Sequence, residues 1–273
     1  MLNARAAARC RRLLPAAPLL AALLMACTAG PRAQQAPPAP SAVECGYPAV
    51  PGDVKGVWAP EARDDEAWRG LHERYVAEAA RGAAEIVFLG DSITQGWGKA
   101  PEVWSRYYAP HEALDFGISG DRLQHLAWRV EHGTLAGLSP HVLVLMIGTN
   151  NLPVRSPPQL AAAIHSLLQL LHCEQPRAKV LLLGILPRSA DAEHAERALR
   201  DPQLHDNIRA VNAELARLAD GHDVVFLDMG PSFAGSDGGL RPELTTDRLH
   251  LSVEGYRLWA RLMEPTLSAM LAP

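Results

Sequence analysis

Five short apolar segments alternate with longer segments of helical periodicity, and this alternation most strongly constrains how the chain can fold. The apolar segments begin at Glu85, Glu112, His141, Lys179 and Asp223. Several are nearly continuous in Val, Ile and Leu, which is typical of strands covered on both faces. Helices are predicted over residues 64–82, 121–131, 158–172, 203–220 and 253–271. The pattern predicts an α/β fold with a parallel sheet between two layers of helices and right-handed crossovers.

The N-terminus has the layout of an export signal. Residues 1–12 carry four arginines and no acid, and residues 13–26 form an apolar segment that is too short and too proline-broken for a membrane span. The segment ends at Leu24-Met25-Ala26-Cys27, which resembles a bacterial lipobox, whose cysteine is lipidated. We expect a signal peptide over residues 1–26 and a lipoprotein of the periplasm or outer membrane, anchored only through Cys27. Ordinary cleavage without a lipid is the alternative.

The rest of the chain divides into a spacer and one domain. Residues 27–51 are rich in Pro, Ala and Gln, which is typical of an extended linker, and residues 52–273 are expected to form the domain. Removal of the signal removes four arginines and no acids, so the net charge changes from -4 to about -8. An acidic protein without a Lys/Arg cluster argues against a nucleic-acid partner.

Two cysteines remain beyond the signal and Cys27. In an oxidising compartment Cys45 and Cys173 could form a disulfide. Alternatively, Cys173 is a small buried apolar residue.

Polar motifs follow the apolar segments. Gly-Asp-Ser (residues 90–92) follows the first, GISGDR (117–122) the second, and GTNN (148–151) the third, while DRLHLS (247–252) precedes the last helix. Because the carboxyl ends of parallel strands meet at one edge of a sheet, we expect these motifs to converge there.

The converging side chains suit acyl transfer. Ser92 is a candidate nucleophile, His250 a candidate base, and Asp247, three residues earlier, can orient the imidazole. The backbone N–H groups of Ser92 and Gly120 and the side-chain amide of Asn150 are candidate donors to an oxyanion. Each motif alone is weak, since Gly-Asp-Ser and GTNN are common in turns and caps. Their combination at one edge favours an acyl-transfer site.

The motifs GDSIT, GISGD, GTNN and DRLH resemble the four blocks of the SGNH (GDSL) hydrolase family. The resemblance assigns Ser92, Asp247 and His250 to a catalytic triad, and Gly120 and Asn150 to the oxyanion hole. WRGLHERYV, LLGILPR and DRLHLSVEGY are similar to the catalytic subunits of intracellular platelet-activating-factor acetylhydrolase and their bacterial relatives.

This resemblance implies a three-layer α/β/α sandwich with a flavodoxin-like, five-stranded parallel sheet of order 2-1-3-4-5. It also implies that neither a metal nor a cofactor is needed, and it is compatible with a homodimer.

We therefore expect a serine esterase that removes short acyl groups, above all acetyl, through a covalent acyl-enzyme. An export signal favours acetylated carbohydrate or another extracytoplasmic ester as the substrate. One alternative is a lysophospholipase or thioesterase with a longer acyl slot, for which residues 187–202 could form a wall or lid. A second is a catalytically dead surface protein that binds carbohydrate.

Overall fold

All five apolar segments form strands of one parallel sheet. The computed structural model describes residues 59–188 and 203–272, and its strands are β1 Ile86–Gly90, β2 Leu114–Gly117, β3 Val142–Met146, β4 Lys179–Leu183 and β5 Val224–Leu227. The strand order is β2-β1-β3-β4-β5, and each neighbouring pair is parallel. The parallel sheet and its 2-1-3-4-5 order are therefore confirmed.

Helices connect the strands. They are α1 Glu66–Ala79, α2 Ser92–Gln95, α3 Pro101–Tyr107, α4 Leu123–Glu131, α5 Pro157–Glu174, α6 Leu204–Ala216, α7 Gly230–Phe233 and α8 Val253–Leu271. Sequence periodicity located α1, α4, α5, α6 and α8. Helix α6 ends four residues before its predicted end, because the Asp220 carboxylate accepts hydrogen bonds from the N–H groups of residues 222–224 and forms the turn into β5.

Successive strand side chains point to opposite faces of the sheet, and both faces are buried. In β1, Val87 and Leu89 belong to a core cluster with α1, α4, α5 and α6. Ile86 and Phe88 belong to a second cluster with α3 and α8. The sheet therefore lies between two helical layers, as the near-continuous apolar strands predict.

Two glycines allow the strand ends to approach α2 closely. A Cβ on Gly90 would lie 2.1 Å from the Thr94 hydroxyl oxygen and 2.4 Å from the Met146 carbonyl oxygen. A Cβ on Gly117 would lie 2.3 Å from the Gln95 nitrogen. All three distances are too short for any side chain, so α2 packs directly against the ends of β1 and β2. This packing holds Ser92 at the carboxyl edge of the sheet.

Several predictions concern residues outside the described ranges: the signal peptide over residues 1–26, Cys27, the spacer over residues 27–51, Cys45 and residues 189–202. Cys173 lies on α5 and is disulfide-bonded, so it is not a free buried thiol. Its pairing with Cys45 stays a prediction. Within the described ranges, no helix combines the length and the apolar character that a membrane span requires.

Candidate active site

Ser92 lies at the first position of α2, directly after β1. The Asp91 side chain accepts a hydrogen bond from the Ile93 N–H at 2.9 Å and caps the helix. The Ser92 N–H has no partner in the part of the chain that the structure describes. The N-terminus of this short helix therefore presents both the Ser92 hydroxyl and the Ser92 N–H at the sheet edge.

Asp247, His250 and Ser92 form a continuous hydrogen-bonded chain. The His250 Nε2 lies 2.9 Å from the Ser92 Oγ, and the His250 Nδ1 lies 2.6 Å from the Asp247 Oδ2. The other Asp247 oxygen accepts from the backbone N–H of His250 at 2.7 Å and of Leu249 at 3.0 Å. The structure thus brings together three side chains that the sequence places up to 158 positions apart.

A tight loop holds Asp247 and His250 in this arrangement. Thr245 and Leu251 form an antiparallel bridge across its base, and the Thr245 hydroxyl donates to the His250 carbonyl oxygen at 2.8 Å. Arg248, inside the loop, has a φ of 65°, a left-handed conformation that is uncommon outside glycine. Ser252 then caps α8 by accepting from the Gly255 N–H. The loop is therefore closed at both ends by local hydrogen bonds.

Burial and hydrogen bonding oppose each other at Asp247. Burial alone would raise the pKa of Asp247, but the bonds from His250 and from the backbone of Leu249 outweigh it, and the net pKa lies below its ordinary value. The carboxylate is therefore charged near neutral pH, as a group that stabilises an imidazolium must be.

Gly120 and Asn150 are linked through Asp121, which directly follows Gly120 and accepts a hydrogen bond from Asn150. Gly120 has a φ of 77°, and its N–H has no partner among the described residues. The Asn150 Nδ2 donates one hydrogen to the Asp121 carbonyl oxygen at 2.8 Å, so its second hydrogen remains available. Both donors are attached to the same short segment, residues 118–121.

This segment is fixed by contacts that sequence reasoning missed. The Ile118 N–H donates to the Gly90 carbonyl oxygen at 3.2 Å, and the Ser119 N–H donates to the Gln95 Oε1 at 2.8 Å. Because Gln95 occupies the Ser119 N–H, the adjacent Gly120 N–H is the one left to face a ligand. No sequence pattern marks Gln95, since a half-buried polar residue at the end of a short helix is common.

A buried ion pair supports the same segment from inside. Asp121 and Arg129 are both 0% exposed. The Asp121 Oδ2 accepts from the Arg129 Nε at 2.9 Å and lies 2.8 Å from its Nη2, while the Asp121 Oδ1 accepts from the Trp68 indole at 2.7 Å. Arg129 also donates to the Phe116 carbonyl oxygen at 3.0 Å. A charged residue at an inward position of α4 is the signal that could have revealed this pair.

The two asparagines of the GTNN motif have different partners. Asn150 donates to the Asp121 carbonyl oxygen, while Asn151 is buried and accepts from the Leu123 N–H at 3.0 Å, at the start of α4. On the other side of this loop, the Arg188 Nη1 donates to the carbonyl and hydroxyl oxygens of Thr149, each at 3.3 Å. The loop is therefore attached to its neighbours on both sides.

Asp91 is a second buried carboxyl group, directly before Ser92 in the chain. Burial raises the pKa of Asp91 to about 7, the bond from the Ile93 N–H counteracts this, and the nearby Asp121 charge adds to the rise. A carboxyl group in this state changes its charge close to neutral pH.

The described residues contain no group of three or more His, Cys, Asp or Glu side chains arranged to hold a metal ion. The geometry provides a hydroxyl in contact with an imidazole, a carboxylate behind that imidazole, and a backbone N–H on Ser92 that has no partner among the described residues. Such an arrangement can activate a serine towards a carbonyl carbon and hold the resulting oxyanion.

Comparison with known proteins identifies similar chains. The model of the GDSL-like Lipase/Acylhydrolase family matches residues 88–258. The human platelet-activating factor acetylhydrolase IB subunit alpha1 is 37% identical over 214 residues, which cover 78% of this chain and 87% of the human protein. The rat subunit alpha2 is 32% identical over 207 residues, covering 76% and 85%.

Solved structures show the same fold. A putative acylhydrolase from Bacteroides fragilis superposes with a TM-score of 0.62 at 24% identity, covering 73% of this chain and 97% of that one.

Arg129→Gln should destabilise the protein by about 3–5 kcal/mol, because it leaves the Asp121 carboxylate buried without its partner. Urea unfolding measures the difference. The double variant Arg129→Gln/Asp121→Asn should lose less free energy of unfolding than the sum of the two single variants, because the two residues are in direct contact. Additive losses would contradict the coupling.

Asp91→Asn should make the protein progressively more stable than the wild type as the pH rises from about 4 to about 7, after which the difference should level off. The folded wild type holds a proton on Asp91 up to a pKa of about 7, against 3.8 ordinarily, so it loses stability over this range. Asparagine does not titrate and can still accept from the Ile93 N–H. The slope should approach roughly 1 kcal/mol per pH unit. Unfolding curves at several pH values test this, and a pH-independent difference would contradict it.

Proposed function

The chain belongs to the GDSL-like lipase/acylhydrolase family and is a carboxylic ester hydrolase, and from this premise we propose that it is a serine esterase specific for short acyl groups, above all acetyl. The acyl group passes through a covalent intermediate on Ser92. An acetylated carbohydrate or another ester outside the cytoplasm is the substrate class that we propose.

One observation carries the assignment of the reacting residues. The Ser92 Oγ lies 2.9 Å from the His250 Nε2, whose opposite ring nitrogen lies 2.6 Å from the Asp247 carboxylate. Both distances are within hydrogen-bonding range. A serine in this arrangement has a base to accept its proton, and the base has an anion to fix its tautomer and stabilise its charged form.

The proposed reaction has two halves. His250 takes the proton of the Ser92 hydroxyl as the oxygen attacks the ester carbonyl carbon, and then protonates the departing alcohol. In the second half, His250 takes a proton from water, the resulting hydroxide attacks the acyl-enzyme, and the acid leaves as Ser92 regains its proton. Asp247 stabilises the imidazolium in both halves.

The oxyanion formed in each half is assigned to three donors: the N–H groups of Ser92 and Gly120 and the free hydrogen of the Asn150 amide. Removal of one such donor from comparable sites costs about 2.7–4 kcal/mol in transition-state stabilisation. Asn150 and Gly120 act together here, because the Asn150 amide is hydrogen-bonded to the residue after Gly120.

The relatives support the preference for a short acyl group. Two of them, at 37% and 32% identity, are named acetylhydrolase subunits, and this chain spans most of their length. The longer-chain lysophospholipase or thioesterase depends on residues 187–202, most of which lie outside the described ranges. The acyl-length profile therefore separates the two activities.

The wild-type protein should hydrolyse 4-nitrophenyl acetate and butyrate with a kcat/KM at least about tenfold above that for the octanoate and palmitate, because a short slot excludes the additional methylenes. Release of 4-nitrophenol measures each rate. A maximum at octanoate or longer would favour the lysophospholipase or thioesterase instead.

Ser92→Ala is the matched control. It should reduce kcat by about 10⁴-fold or more, because the nucleophile is lost, while the circular dichroism spectrum stays unchanged. Retained turnover would contradict the role of Ser92.

Labelling of the wild type by a fluorophosphonate probe would exclude the non-catalytic carbohydrate-binding alternative, and absence of labelling would support that alternative.

We propose that the protein is exported and attached to a membrane through lipid on Cys27, with residues 27–51 as the spacer. The arginine-rich start, the short apolar segment and the Leu-Met-Ala-Cys sequence support this proposal.

In a bacterial host that lipidates exported proteins, Cys27→Ala should move the protein from the detergent phase to the aqueous phase of a Triton X-114 extract. The change removes the lipidated thiol and its buried alkyl chains. Partitioning is measured by immunoblot, with Cys173→Ala as a second cysteine variant. Equal partitioning of the wild type and Cys27→Ala would contradict the lipid anchor.

A further inference from the structure

Arg63 lies against the glycine that is assigned to the oxyanion hole. Its Nη1 donates to the Ser119 carbonyl oxygen at 2.6 Å. A Cβ built on Gly120 would lie 3.2 Å from the same Nη1. A segment before α1 therefore brings a guanidinium group to the rim of the candidate active site. Arg63 lies outside residues 88–258, where the family model matches.

The guanidinium of Arg63 keeps unused donors. Of its five N–H bonds, one is directed to Ser119 and one to the Asp65 carboxylate at 3.1 Å. The other three have no hydrogen-bond partner among the described residues. Its side chain is 26% exposed, and both Ser119 and Gly120 are exposed. These donors can therefore reach a bound molecule.

The charge of Arg63 is only partly neutralised. Asp65 pairs with it at an exposed position, where ion pairs are weak. Asp121 is 3.8 Å from the Arg63 Nη1, but Arg129 already holds that carboxylate through two nitrogens.

A second cation, Arg122, is exposed one residue beyond Asp121. Burial chiefly, and then the charges of Arg63, Arg122 and Arg129, lower the pKa of His125 to about 4.

We infer that Arg63 binds an anionic substituent, a carboxylate or a phosphate, on the alcohol half of the ester substrate. The inference rests on the proposed function. An acetyl group carries no charged substituent. An anionic group of the substrate that binds near the oxyanion hole must therefore belong to the alcohol half. The planar guanidinium presents paired N–H donors that match the oxygens of either anion. The substrate class is thereby narrowed to acetyl esters of acidic alcohols, such as acidic sugars.

The test compares charged and neutral acetates of similar shape. The substrates are 4-acetoxybenzoate, 4-acetoxyphenyl phosphate and the neutral methyl 4-acetoxybenzoate, and acetate release gives kcat/KM for each. The readout is the kcat/KM for the anionic substrate divided by the kcat/KM for the neutral substrate, determined for each variant. Intrinsic differences between the leaving groups cancel when this ratio is compared between variants. The two anionic substrates distinguish a carboxylate from a phosphate.

Arg63→Gln should lower this ratio by about tenfold for the preferred anion, since a charge-assisted hydrogen bond is lost. Arg63→Lys should retain part of this ratio, because the positive charge remains while the paired N–H donors of the guanidinium are lost. The matched control is Arg69→Gln, which removes an exposed arginine of α1 that is paired with Asp64 at 3.6 Å, and it should change the ratio by less than twofold. The wild-type ratio should also fall as salt is added.

An unchanged ratio in Arg63→Gln for both anions would overturn the inference. An equal loss of kcat on charged and neutral substrates would likewise assign Arg63 only to positioning the loop through Ser119, and would overturn it. If wild-type protein hydrolyses none of the three acetates, the proposed function fails and the inference fails with it. If the wild type hydrolyses the neutral acetate and the charge of the substrate does not change the effect of Arg63→Gln on kcat/KM, the inference about Arg63 is rejected and the proposed function stands.

Discussion

The buried pair of Asp121 and Arg129 is the interaction on which the rest of the site depends. It supports residues 118–121, and because both side chains are fully buried, each charge must be satisfied by protein atoms. The Asp121 carboxylate receives Arg129 and the Trp68 indole, and Arg129 reaches the Phe116 carbonyl at the end of β2. One ion pair therefore joins α1, α4 and the end of a strand.

The backbone of the same residue extends this link to the chemistry. The Asp121 carbonyl oxygen accepts from the Asn150 amide, and Gly120 precedes it directly. Two of the three proposed oxyanion donors thus take their positions from a residue whose own position is set by Arg129. A buried ion pair contributes little net stability, because desolvation offsets attraction. Its value here is geometric, since an unsatisfied carboxylate would be costly in any other position of the loop.

The extent to which the sequence predicted this structure differs between elements. Periodicity located the five strands and the long helices, because burial on both faces imposes continuous apolar segments. The motifs at the strand ends indicated the five site residues, and resemblance to a family supplied the strand order. The sequence did not reveal four residues that act through other residues. These residues contact atoms 24, 28, 8 and 56 positions away along the chain, and they are Gln95, Asn151, Arg129 and Arg63, respectively. Only Arg129 leaves a local signal, a charged residue at an inward position of a helix, and the partner of each of the four is set by tertiary packing.

The sequence by itself determined that the fold is a parallel α/β sheet and that Ser92 follows a buried strand, because these depend on local hydrophobic periodicity and on the chemistry of short motifs. Only the tertiary structure decided which N–H groups stay unpaired beside Ser92. That outcome depends on which distant side chains occupy the neighbouring donors, as Gln95 does for Ser119. It also decided that Arg63 lies at Gly120, because a contact across 56 residues is set by the packing of α1 on the sheet and by no periodicity along the chain.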